Sequence, residues 1–201
     1  MGSVPASAAS NVMKVSKFVS KFAAVALVAL IVIAVVVVAG VRHASAHLEH
    51  GVAAPEFTLQ AAKGGDVQTV DLKTALAKGP VVLYFFPKSF TKGCTVEAHL
   101  FSEHVADYAK LGAQVIGVSA DDIETQKKFS TEECRSAFLV ASDPGLKVAK
   151  QYDASLAPGY ANRTSYVIAT DGTIAYSYTN LDPLKHVDNT LDALRALAVK
   201  K

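Results

Sequence analysis

The sequence predicts an α/β fold, a central mixed β-sheet flanked by helices, from three observations. Residues 81–86 (VVLYFF) form an unbroken run of strand formers, the pattern of a central strand covered on both faces. Directly after it the apolar period becomes helical, with Val96, Leu100, Phe101, Val105, Tyr108 and Leu111 recurring three or four apart. Strands and helices then alternate until Asp171-Gly172, between two alternating runs, signals a β-hairpin. Strands interleaved with helices and closed by a hairpin imply a layered sheet with helices packed on it.

The elements follow in order. Pro55 ends a short linker, residues 56–60 open a first strand, Lys63-Gly64-Gly65-Asp66 turns the chain, and residues 67–72 alternate as a second strand. Residues 81–86 are the core strand. The helix that begins around Cys94 ends at Gly112, a residue suited to the left-handed conformation after a helix. Residues 114–118 form a second buried strand. Residues 121–133 form a polar helix started by Ser119 or Asp121, with Ile123 and Phe129 facing inward. Residues 137–141 are a third core strand, 144–152 a short helix and 164–169 a fourth strand. Residues 174–178 pair with that fourth strand, and Tyr176 and Tyr178 share one face of their strand. Asp182-Pro183 starts a last helix with Leu184, Val187, Leu191, Leu194 and Leu197 on one stripe.

Length and composition set the bounds. The 201 residues make room for one domain of ordinary size, about 100 to 150 residues, and a short appendage. The hydrophobic fraction of 51% and mean hydropathy of +0.27 are raised by residues 22–41, an uninterrupted apolar run. Residues 1–46 hold four basic residues (Lys14, Lys17, Lys21, Arg42) and no acidic one, so residues 47–201 carry sixteen Lys and Arg against eighteen Asp and Glu. The whole-chain charge of +2 thus belongs to the leader, and no nucleic-acid-binding surface is expected. Two cysteines make neither a disulfide framework nor a four-cysteine zinc site.

The organisation read from these features is a basic segment (1–21), a transmembrane anchor or signal-peptide apolar region (22–41), a linker (42–53) and one domain (54–201). Twenty apolar residues suit a membrane span, and signal-peptide apolar regions run to about 7–15. Ala44-Ser45-Ala46, against that, offers a cleavage pattern. Under either reading the basic end stays in the cytoplasm and the domain lies on its outer, periplasmic side, anchored in the membrane or exported.

The chemistry concentrates at Cys94. The cysteine follows the loop of the core strand and enters the first turn of a helix. Unpaired N–H groups and the helix dipole favour a thiolate there. Thr91, three residues earlier, can bring its hydroxyl near the sulfur and hold an oxygen of a substrate. Pro87, lacking an N–H, ends the strand and can shield the thiolate from water.

Pro87-x-x-x-Thr91-x-x-Cys94 resembles the P-x-x-x-T-x-x-C signature of peroxiredoxins, and three further stretches match that family in order: residues 54–59 (APEFTL), 115–119 (VIGVS) and 163–168 (RTSYVI). The closest subgroup is the Q-type, or bacterioferritin-comigratory-protein, peroxiredoxins of the AhpC/TSA superfamily. The resemblance implies a thioredoxin-like fold and a thiol peroxidase that needs no cofactor or metal and reduces hydrogen peroxide and organic hydroperoxides through a cysteine sulfenic acid. It implies an external thiol reductant, a thioredoxin-like protein or a small thiol. Cys94 would be the peroxidatic nucleophile, Thr91 would orient the peroxide and Arg163 would hold thiolate and peroxide oxygens. Many Q-type members carry the resolving cysteine five residues after the peroxidatic one, where this chain has His99. Cys134 is then the candidate resolving thiol, and its neighbours Glu133 and Arg135 suggest a helix end that is not deeply buried; a one-cysteine cycle resolved by an external thiol is the alternative.

Other features carry less. His99 and His104, five apart, lie on different faces of one helix and make no metal site. Glu97 complements the helix dipole or positions the active loop. The competing functions are a membrane-tethered disulfide reductase, which would need a C-x-x-C that Cys94 lacks, and a non-catalytic interaction module, which would not need the Pro87, Thr91, Cys94 and Arg163 set.

Overall fold

Val81, Leu83 and Phe85 point into one buried cluster, while Val82 and Tyr84, with the following Phe86, point into another. This two-sided burial puts β3 (Val81–Phe85) inside the sheet, and each fully buried side chain of this size stabilises the fold by about 1.5–3 kcal/mol. The computed structural model describes residues 47–199. Residues 22–41, expected as an anchor or signal region, lie outside the described residues. Among the described residues no helix is long and apolar enough to cross a membrane.

The chain opens with the hairpin β1 (Thr58–Lys63) and β2 (Asp66–Asp71), paired antiparallel. Sequence reading extends β2 through Leu72, but Asp71 instead caps a short helix α1 (Leu72–Leu76) by accepting from Thr74 N at 2.8 Å, which turns Leu72 and Leu76 into the core. After β3 come α2 (Lys92–Glu103) and α3 (Val105–Lys110), one apolar stripe broken at His104, which leaves helical dihedrals (φ −99°, ψ 6°). Then follow β4 (Gln114–Ser119), α4 (Ile123–Glu132), β5 (Leu139–Ser142) and α5 (Lys147–Gln151). Asp122, rather than Ser119 or Asp121, caps α4 by accepting from Thr125 N. A small hairpin, β6 (Ser155–Ala157) with β7 (Tyr160–Ala161), has no counterpart in the sequence reading. The Pro158-Gly159 pair at its tip is the turn signal that could have found it. The chain closes with β8 (Thr164–Ile168), β9 (Ile174–Thr179), one 3-10 turn (Pro183–Lys185) and α6 (His186–Val199).

The large sheet runs β2-β1-β5-β4-β3-β8-β9. β3, β4 and β5 are mutually parallel, and β8 and β1 flank them antiparallel, which makes the sheet mixed as the sequence implies. Within the stretch expected as a linker, Gly51 N donates to Ile174 O (2.8 Å) and Ala53 bridges Thr173, so this stretch is tied to the β8–β9 hairpin. The carboxyl end of β3 and the start of β8 meet beneath the first turn of α2, and that junction holds the site.

Candidate active site

The loop from β3 to α2 is fixed before it reaches Cys94. Phe86 N donates to Val118 O (3.0 Å), and Ser89 N donates to Asp121 Oδ2 (2.8 Å). The Ser89 hydroxyl donates to Gln126 Oε1 (3.1 Å), and Gln126 Nε2 donates in turn to Ser119 Oγ (2.7 Å) and Ala141 O (3.1 Å). Phe90 takes a left-handed conformation (φ 63°), unusual for an aromatic residue, with its ring edge-on to Phe129 at 5.2 Å. Such a conformation persists where the surroundings impose it. Beside the loop, Pro87, Lys88, Ala120, Asp121, Pro158 and Tyr160 border a cleft of about 280 Å³.

Cys94 enters α2 two residues after its start and is 1% exposed. Arg163 Nη2 lies 3.4 Å from its sulfur. The guanidinium is held on all sides: Nε donates to Leu181 O (2.9 Å) and Nη1 donates to Glu97 Oε2 in a buried ion pair. Burial works against the Arg163 charge, and Glu97 and Cys94 more than offset this, raising its affinity for the proton. Burial pushes Glu97 up to about 8 against the pull of Arg163. Glu97 stands three residues after Cys94, one turn along the same face of the helix, which is the local signal for its part in the site. Gly93 completes the fit, because a Cβ there would stand 3.1 Å from Arg163 Nη2.

Thr91 occupies the N-cap position of α2 without making a side-chain cap. Its hydroxyl donates to Lys88 O (2.9 Å), so its oxygen is left to accept from an incoming O–H group. Pro87 is half-buried in the same loop. The expectation that Cys134 lies at a shallow helix end is corrected: the residue is 0% exposed, and burial pushes its thiol far above the ordinary range. The charged neighbours Glu133 and Arg135 point outward while the cysteine turns into the cluster of Tyr84, Phe101, Phe129 and Phe138. Both thiols are free. The Tyr84 hydroxyl, buried without a partner, is pushed up by burial and then by Cys134, Glu97 and Cys94.

Three ties join α2 to the Cys134 turn. His99 Nε2 meets Glu133 Oε2 at 2.8 Å, Ser102 Oγ donates to Cys134 O at 2.9 Å, and Arg135 reaches Glu103 at 3.3 Å. Arg135 and Ser136 follow Cys134 in the left-handed region (φ 51° and 57°), a strained turn for two non-glycine residues. Sequence reading passes over His186, which no local pattern distinguishes from a surface residue at a helix start. It is fully buried behind Glu97. Among the described residues no group of three or more His, Cys, Asp and Glu could hold a metal ion.

A mixed sheet of this topology, carrying at the carboxyl end of an inner strand a buried cysteine on a helix N-terminus against a buried arginine, defines a thiol-based redox enzyme. The model of the AhpC/TSA family matches residues 50–177. Peroxiredoxin Q, chloroplastic, of Triticum aestivum is 39% identical over 150 residues, 73% of this chain and 67% of that protein. Peroxiredoxin Q, chloroplastic, of Populus jackii is 37% identical over 155 residues, 76% of this chain and 70% of that one. The crystal structure of peroxidoxin BcpB from Mycobacterium tuberculosis superposes with a TM-score of 0.68 at 30% identity, over 75% of this chain and 99% of that one. The chain belongs to the AhpC/TSA family as a peroxiredoxin of the Q type. It has the thioredoxin-like peroxiredoxin fold and is a thiol peroxidase, an antioxidant enzyme that reduces hydroperoxides with thiol equivalents.

Proposed function

We propose that Cys94 is the peroxidatic nucleophile, that Arg163 and Thr91 position the peroxide, that Pro87 shields the sulfur from water, and that Cys134 resolves the oxidised cysteine. The observation that carries the reading is the Arg163 Nη2 contact with the Cys94 sulfur at 3.4 Å inside a buried site. In the reaction the Cys94 thiolate attacks the terminal peroxide oxygen. An S–O bond forms, the O–O bond breaks, and the electron pair leaves on the second oxygen, which takes a proton to become water or alcohol. Sulfur is oxidised by two electrons to the sulfenic acid. The Arg163 guanidinium faces the region where negative charge develops, and a fixed donor there is worth about 10²–10³ in rate. The Thr91 oxygen, its hydrogen engaged by Lys88, suits acceptance from the peroxide O–H.

Resolution by Cys134 needs opening. A thiol attacks the sulfenic sulfur, expels water and forms a disulfide only when the two α-carbons come within about 7 Å. Cys134 must leave its apolar cluster and the first turn of α2 must unwind, which the strained turn at Arg135 and Ser136 favours. An external dithiol, of thioredoxin-like kind or a small thiol, then restores both cysteines. The test traps sulfenic acid with dimedone after one equivalent of hydrogen peroxide. Persistent label on Cys94 in Cys134→Ser, and little in the parent chain, supports internal resolution. Equal labelling of both makes the enzyme one-cysteine, and absence of label from Cys94 in both defeats its peroxidatic role.

The domain is further proposed to act outside the cytoplasm, held or exported by residues 22–41. The basic residues before that run and the length of the run support this reading. Protease added to spheroplasts, whose outer membrane is opened and inner membrane intact, should digest the domain of an anchored chain; protection until the inner membrane is breached contradicts it.

A further inference from the structure

The site extends, on the side of Glu97 away from Arg163, to His186 at the first residue of α6. His186 Nε2 lies 2.9 Å from Asn180 O, and because a carbonyl only accepts, Nε2 carries the hydrogen. In the neutral ring Nδ1 is then bare and accepts from the Ser165 hydroxyl at 2.8 Å. The same Nδ1 stands 3.7 Å from Glu97 Oε1, a fully buried oxygen with no hydrogen-bond partner. Both acceptors are fully buried, and one added proton joins them once the Ser165 hydroxyl gives up the single Nδ1 lone pair and the 3.7 Å gap closes. The other charged or titratable groups facing the imidazole are Arg163, Asp182 and Tyr178, whose ring lies edge-on at 4.8 Å. Burial, with Arg163 behind it, holds His186 down to about 4, while burial raises Glu97 to about 8. A proton taken up near neutrality therefore settles on the carboxyl, with the ring nitrogen as its acceptor.

That proton bears on the sulfur through Arg163. The guanidinium stands between Glu97 Oε2 and Cys94 Sγ, one cation serving two anions. When Glu97 is ionised the charge is shared; when Glu97 holds a proton the charge is left to the thiolate. We propose that His186 is a positioning residue of the peroxidatic centre, its bare Nδ1 holding a proton on Glu97 Oε1 and so committing Arg163 to Cys94. The inference rests on the roles proposed for Cys94 and Arg163. The proton stays within the Glu97–His186 pair, and the chemistry at sulfur is unchanged.

The experiment follows the rate of the full chain with hydrogen peroxide in a single turnover, together with thiolate absorbance, from pH 5 to 9. His186→Asn keeps an acceptor oxygen where Nδ1 stood, and His186→Gln keeps an amide nitrogen toward Asn180 but leaves nothing in the Nδ1 position. His186→Gln should move the step that follows Glu97 ionisation, near pH 8 in the parent, downward by about one pH unit, which is about 1.4 kcal/mol of lost hold on that proton. His186→Asn should restore the parent profile, and in a Glu97→Gln background His186→Gln should cause no movement. An unchanged profile in His186→Gln overturns the proposal, as does an equal shift with and without Glu97 or an equal shift in His186→Asn. Should His186→Gln fail to fold, the ¹⁵N spectrum of the histidine-labelled parent chain decides: a bare His186 Nδ1 at pH 7 is required, and a protonated one refutes it. A parent chain whose Cys94 does not react with peroxide defeats the underlying assignment instead.

Discussion

Replacing Arg163 by Met separates what the buried ion pair does for the fold from what it does for the chemistry. Arg163 is 4% exposed and Glu97 0%, and one Glu97 oxygen already lacks a partner. Removing the cation leaves that carboxyl buried without its partner, and above about pH 8, where Glu97 is ionised, the change costs about 3–5 kcal/mol. At about 2–4 °C per kcal/mol for a chain of this size, Tm should fall by about 6–20 °C. Removing both charges, in Arg163→Met with Glu97→Leu, leaves an apolar pair of similar volume, and most of the stability should return. The peroxide rate should not return. Loss of a fixed donor facing the reacting oxygens should lower it by about 10²–10³ in the single and the double variant alike. Melting followed by circular dichroism, paired with stopped-flow reaction with hydrogen peroxide, reads both quantities. A single variant melting within about 2 °C of the parent would refute the energetic reasoning. A double variant that regains the rate together with the stability would refute the role of the charge.

Gly93→Ala should push the guanidinium from the sulfur, since the new Cβ would sit 3.1 Å from Nη2; stopped-flow should show about a tenfold slower reaction with peroxide. The His186 imidazole is held below its ordinary range, so its contribution to stability is fully present above about pH 6.5 and is lost as pH falls toward about 4. The stability difference between the parent and His186→Leu, read from urea unfolding, should therefore shrink across that window by at most about 1.4 kcal/mol per pH unit; a constant difference would contradict the assignment. His99→Ala removes one tie between α2 and the Cys134 turn, so a Cys94–Cys134 bridge should appear faster in acid-quenched samples after peroxide and less sulfinic acid should accumulate.

The parts of the fold legible in the sequence are those fixed by local pattern. The VVLYFF run declares a strand buried on both faces, and Asp171-Gly172 declares the hairpin that closes the sheet. Cys94 is legible because loop, helix start and nucleophile are neighbours in the chain. Leu72 illustrates the opposite case: alternation extends β2 through it, yet the Asp71 cap turns it into a helix. Burial at Cys134 is a long-range matter, since Glu133 and Arg135 are polar while the tight turn between them aims the thiol at Phe129 and Phe138. His186 is hidden for the same reason. Its partners Ser165, Asn180 and Glu97 lie on other elements and are brought to it only by the packing of α6 and the final turn against β8 and α2.

The most direct measurement is the intact mass of the reduced full chain within seconds of adding one equivalent of hydrogen peroxide, with Cys94→Ser beside it. A peroxidatic Cys94 with internal resolution predicts rapid loss of two hydrogens in the parent and no change in the variant. A gain of one oxygen at Cys94 would keep the peroxidatic thiol and remove Cys134 from the cycle. An unchanged parent mass, or a variant that reacts as fast, would contradict the assignment of Cys94.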